Sequence, residues 1–217
     1  MSYVEELEKI FNDSFEKQTQ EAFIKGLFDV YQMSHRECYD SYHFHEAHDL
    51  LPFLRWIKLR NSLRGMGDRF KEIQAFSKPN GSSSSYHILI STEKMILTVS
   101  SADSSISLPR PASHRIEYAN QYQYNLEFSS DENNITNSKK YAILTHGAMY
   151  DDKRQPAFAR IIFPSENYDS CIHRIDLFDK HRGLVAAIRE SLAVTQPKRT
   201  VEITHREIEP QIIEKTI

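Results

Sequence analysis

Apolar side chains recur at three- and four-residue steps in the first third of the chain and at two-residue steps in its middle. That change of period is the main guide to the fold. Ser2 followed by Glu5 reads as a capping box, and Val4, Leu7, Phe11 and Phe15 then form the apolar stripe of a first helix. A second helix over residues 20–31 carries Phe23, Leu27, Val30 and Tyr31 on one side. Residues 33–48 lose the pattern and read as irregular. Asp49 then caps a helix with Pro52 in its first turn, where a missing N–H matters little, running through Leu54, Trp56, Ile57, Leu59 and Leu63. Gly65-Met66-Gly67 reads as a break before a short helix over 68–76.

Lys78-Pro79-Asn80-Gly81 and the serines of 82–85 mark the passage to strands. Residues 86–90 and 95–99 are runs of Ile, Leu and Val separated by Ser91-Thr92-Glu93-Lys94, which predicts a hairpin. A serine-rich loop over 100–107 precedes a short helix over 112–121. In 122–128 the alternation of Tyr122, Tyr124, Leu126 and Phe128 with Gln123, Asn125 and Glu127 predicts a strand, and the polar run 129–140 a loop. Residues 141–145, 157–163 and 171–177 give three more strands. Asp179 is placed to cap a last helix through Leu184, Val185, Ile188 and Leu192, ending before Pro197.

This order predicts an α+β fold: an N-terminal helical layer packed on a mainly antiparallel sheet of about five or six strands, with a C-terminal helix. One domain covers 1–194, in which 1–76 is helical, 77–85 is a linker, 86–178 is β-rich and 179–194 is the last helix; 195–217 is a tail. Strands and helices do not alternate strictly, which argues against a doubly wound parallel sheet.

Composition narrows the function classes. The chain has 217 residues, enough to hold a core without disulfides or metal. Its net charge of −3 supplies no overall attraction for phosphate backbones, so a nucleic-acid role has to rest on a local patch. Two cysteines, Cys38 and Cys171, are far apart and read as free thiols in a reducing compartment. No basic and apolar leader opens the chain and no apolar run approaches the ~20 residues that span a bilayer, so the expectation is a cytoplasmic protein with no membrane partner.

Candidate chemistry is concentrated in three places. His43, His45 and His48, with Glu46 among them, are the densest group of metal-capable side chains, and imidazoles suit a divalent transition metal. His45-Glu46-Ala47-His48 is one residue shorter than the metalloprotease spacing, so its geometry is not carried over. The bland alternative is a set of surface histidines before a helix. Arg55, Lys58, Arg60 and Arg64 form a basic helix able to neutralise phosphates, although Arg55 and Lys58 fall on one strip and Arg60 and Arg64 on another. The bland alternative there is a helix whose basic ends reach solvent. In the tail, Ile208, Ile212 and Ile213 are spaced as a partner-binding segment.

Asp151-Asp152-Lys153 has the Asp-x-Lys form of some nucleases but reads as a turn, and Cys171-x-His173 and Thr145-His146-Gly147 offer a thiol and a base of unknown separation. Six glycines leave no phosphate-binding glycine loop and no nucleophile elbow. The sequence therefore points to a non-enzymatic binding or regulatory protein acting through a protein partner, self-association or nucleic acid. The opposing expectation is a metal-dependent hydrolase or nuclease, with His43, His45, His48 and Glu46 at the metal and Arg60 and Arg64 on phosphate.

Overall fold

In the computed structural model the described residues are 2–80, 85–123 and 139–194. Helix α1 (Tyr3–Ser14) opens with the capping box: the Glu5 N–H donates to Ser2 Oγ at 3.3 Å and the Ser2 N–H donates to Glu5 Oε2 at 2.7 Å. Such caps are worth about 1 kcal/mol. Leu7, Phe11 and, just beyond the helix, Phe15 are buried, and Phe15 meets Phe23 of α2 edge to face.

Helix α2 (Lys17–Ser41) extends well past the predicted segment. The stripe of Phe23, Leu27 and Tyr31 continues through buried Ser34 and Cys38, so the polar side chains around them line the outer side of one long helix. Helix α3 (Phe44–Arg69) follows the N-cap His43, six residues before Asp49, and keeps Pro52 inside it. The predicted break at Gly65-Met66-Gly67 is absent. A Cβ on Gly67 would sit 3.2 Å from the Ala75 backbone nitrogen, so this glycine permits close approach of the helix to the next strand.

Of the helix predicted over 68–76, Asp68 and Arg69 close α3, whereas 74–76 and the start of the linker form strand β1 (Gln74–Pro79). It pairs antiparallel with β2 (Tyr86–Ser91), which forms the predicted hairpin with β3 (Met95–Ser101). Helix α4 (Ser113–Gln123) then carries the chain across, and β4 (Lys140–Ala148) lies parallel to β3. Tyr122 and Gln123 end this helix rather than begin a strand; the rest of the strand predicted over 122–128, and 129–138 of the loop predicted over 129–140, lie outside the described residues, while Lys140 of that loop already belongs to β4. Antiparallel β5 (Pro156–Pro164) and β6 (Cys171–Asp176) complete a six-stranded mixed sheet in the order β1-β2-β3-β4-β5-β6. Asp176, not Asp179, caps the following turn α5 (Leu177–Lys180), accepting from the N–H groups of Phe178 and Asp179, and α6 (Arg182–Val194) follows.

Alternation along the central strands sends neighbours to opposite faces. Ile90, Leu97, Leu144 and Ile161 pack with Leu27, Phe28 and Leu59 under the N-terminal helices, while Leu89, Ile96, Tyr141 and Ile143 pack with Tyr118 and Ala119 of α4. Covered on both sides, β4 is buried over almost its whole length. The fold is thus α+β, with the one parallel pair at its centre bridged by α4. Both cysteines are free, and among the described residues no helix is long and apolar enough to cross a membrane.

Candidate functional site

The carboxyl ends of β3 and β4 open side by side, because parallel strands end at the same edge of a sheet, and crevices there are where open sheets commonly take ligands. A cavity of about 280 Å³ lies at this edge, between α3, the first turn of α4 and the start of β2. Its walls include Ser100, Ser101, His146 and Gly147 from the two strand ends, Tyr31 from α2, Arg55, Trp56 and Arg60 from α3, His87 from β2, and His114 and Arg115 from α4.

Three guanidinium groups give the cavity its charge. Arg55 lies 4.3 Å over the Tyr31 ring and its Nη2 donates to the Lys153 carbonyl. Arg60 lies 4.3 Å over the Trp56 ring. The Nε–H groups of both are buried and have no hydrogen-bond partner among the described residues. A buried donor left in that state costs about 1–3 kcal/mol, more when charged. Arg115 shares the buried Nε–H without a partner among the described residues, but its Nη1 donates to the Arg110 carbonyl and its Nη2 to Ser100 Oγ at 2.9 Å. None of the three forms an ion pair among the described residues. The only acid among the lining residues described is Asp103, which faces outward, 93% exposed, 3.9 Å from Arg110.

The histidines add polarity without charge. Burial, with Lys78, Arg115 and Arg60 nearby, drops His87 to about 4, and burial with His87 and Arg115 does the same to His114. Their rings stack at 4.0 Å, a contact two imidazolium ions would resist. Asn80 Oδ1 can only accept, so His87 Nδ1–H donates to it at 2.8 Å, which leaves Nε2 to accept from the Tyr118 hydroxyl at 3.1 Å. Burial holds the Tyr118 phenol up at about 12, in keeping with its role as donor. His146, 6% exposed, is lowered to about 4 by burial and by Arg55, and its Nδ1 shares a 2.8 Å hydrogen bond with Tyr31, whose phenol burial pushes up. The walls therefore present cations and neutral rings near pH 7.

The basic set read from the sequence divides here. Arg55 and Arg60 reach the cavity, whereas Lys58 turns to Glu37 of α2 at 2.6 Å and Arg64 donates to Ser77 Oγ of β1 at 2.6 Å. His43, His45, Glu46 and His48 stand exposed at the start of α3, with His48 3.6 Å from Asp49. Among the described residues no three His, Cys, Asp or Glu side chains are grouped to hold a metal. Ile208, Ile212 and Ile213 lie outside the described residues. Asp152 does sit in a turn, where it takes hydrogen bonds from Arg154 and Gln155. The paired Asp152 and Arg154 lie on the wall of a wider opening of about 460 Å³ between α2 and that turn. Of the cavity histidines, only His146 stands out in the sequence; His87, Tyr31 and the adjacent His114 and Arg115 come from three separate elements, with no shared spacing to connect them.

Comparison with known protein families, with curated proteins and with solved structures finds no match for this chain.

Proposed function

We propose that the protein binds a phosphate-bearing ligand in the cavity at the ends of β3 and β4. The observation that carries this reading is the pair Arg55 and Arg60: two guanidinium groups at the wall of one cavity that form no ion pair among the described residues. Guanidinium groups match oxyanions geometrically, and a phosphate oxygen accepts from them in charge-assisted bonds. Because the three imidazoles are neutral, the site gains its charge from arginine alone and loses none of it near pH 7. The neutral His114 ring and the Ser101 hydroxyl can then orient the remaining oxygens. The first turn of α4 adds its N-terminal dipole at the same place.

The activity supported is binding. A ligand present at 100 times its Kd stabilises the folded state by about 2.7 kcal/mol, so thermal denaturation across a panel of inorganic phosphate, pyrophosphate, sulfate and chloride reads the site directly. Pyrophosphate raises Tm by several degrees while chloride at equal ionic strength does not, and Arg55→Gln removes the difference. Equal response to every salt would end the proposal.

A further inference from the structure

Around the cavity mouth the exposed residues are not those of an ordinary solvated helix. Trp56 and Tyr86 line the mouth and are 43% and 47% exposed, and beyond them on α3 Phe53 and Ile57 are 67% and 47% exposed. Positions 53, 57, 60 and 64 follow one another at three- and four-residue steps, so Phe53, Ile57, Arg60 and Arg64 form a continuous line down one side of the helix. Eleven steps of 1.5 Å from Phe53 to Arg64 make that line about 16 Å long. From Leu50 to Gly67 α3 contains no acid and four bases. Asp49 lies one turn before Phe53 and beside His48, and Asp68 one turn after Arg64, so the acids on this side close its two ends.

Aromatic faces interleaved with arginines along a groove are what unpaired bases and their phosphates require, and stacking needs no particular base. Arg60 already lies over the Trp56 ring, and Trp56 still keeps 43% of its surface exposed for a base to cover. An uncharged apolar partner would leave Arg60 and Arg64 unmatched; a duplex keeps its bases stacked and out of reach of Trp56 and Tyr86. A free nucleotide would use the mouth and leave Phe53 and Ile57 uncovered. We infer that the ligand is the end of a single-stranded nucleic acid, with its terminal phosphate between Arg55 and Arg60 and its bases on Trp56, Tyr86 and Phe53. This rests on the phosphate reading of the cavity.

Trp56 is the only tryptophan in the chain, so its fluorescence reports the stacking. Titration uses ten-nucleotide single strands with a 5′-phosphate, a 3′-phosphate or neither, the matching duplex, a nucleoside monophosphate and pyrophosphate. One terminally phosphorylated strand quenches Trp56 and binds at least about tenfold tighter than the monophosphate, the duplex or the unphosphorylated strand. Phe53→Ala, at a largely exposed position that leaves folding intact, weakens the strand about tenfold and leaves pyrophosphate unchanged. Pyrophosphate binding with no gain for the strand, or with a strand indifferent to Phe53→Ala, overturns this inference and leaves the phosphate reading standing. Absence of both overturns the two together.

Discussion

Tyr31 on α2 and His146 on β4 are 115 positions apart in the chain and share one 2.8 Å hydrogen bond, with their rings crossed at 85° and Arg55 lying over the tyrosine. This contact fixes the long helix to the end of the central strand. It also places Arg55 at the cavity wall.

Tyr31→Phe keeps the ring under Arg55 and leaves the buried His146 Nδ1 without its partner. The expected loss is about 1–3 kcal/mol of unfolding free energy, read as a lower urea midpoint at unchanged slope. Stability equal to the parent protein would mean that water replaces the hydroxyl.

Stability also depends on pH in a definite direction. His87, His114 and His146 bind protons near 6.5 in the unfolded chain and only near 4 in the folded one. Between those values the unfolded state holds more protons, so their contribution is complete above about pH 6.5 and is lost as pH falls towards 4. For His146 the loss is on the order of 3 kcal/mol; His114 is partly exposed and gives less. A bound phosphate raises all three pKa values, so binding takes up protons and tightens as the pH falls from 6.5, while the fold holds. Denaturation curves and titrations at pH 7.5 and 5.5 check both signs.

Gly147 lies at the floor of the cavity, where an added Cβ would come within 2.6 Å of Phe158 Cε1 and 3.0 Å of the Ala102 carbonyl oxygen. The ring can turn aside but the carbonyl belongs to the backbone. Gly147→Ala is therefore expected to cost about 1–3 kcal/mol and to weaken phosphate binding, measured by denaturation and by titration of the folded variant.

Replacing His43, His45 and His48 together by Ala touches three exposed side chains. Stability should move by no more than about 0.5 kcal/mol per site, and pyrophosphate binding should not change. Elemental analysis of parent and variant completes the comparison: stoichiometric metal lost only from the variant would give these histidines a role that their placement does not suggest.

Much of this architecture was legible because it rests on local pattern. Ser2 and Glu5 mark α1, the Ile and Leu runs mark β2 and β3, and the apolar segments of β4 and β5 reflect burial on both faces. The misreadings have physical causes. Cys38 and Ser34 carry the buried stripe of α2 through polar neighbours, so residues 33–41 look irregular while staying helical. Gly67 reads as a helix break and instead admits Ala75 of β1, an edge strand whose sequence Gln-Ala-Phe-Ser-Lys-Pro does not alternate apolar with polar residues. Of the site, Arg55 and Arg60 were visible as part of a basic helix. That Lys58 and Arg64 turn elsewhere depends on Glu37 and Ser77 in neighbouring elements. The cavity itself draws on six elements and has no signature in any one of them.

Calorimetric titration of the parent protein and of Arg55→Gln/Arg60→Gln with pyrophosphate at low salt tests the central claim most directly. Saturable one-to-one binding that weakens with added salt and vanishes in a folded double variant is the predicted result. Identical isotherms for the two proteins, or no heat from the parent protein at millimolar pyrophosphate, would contradict it.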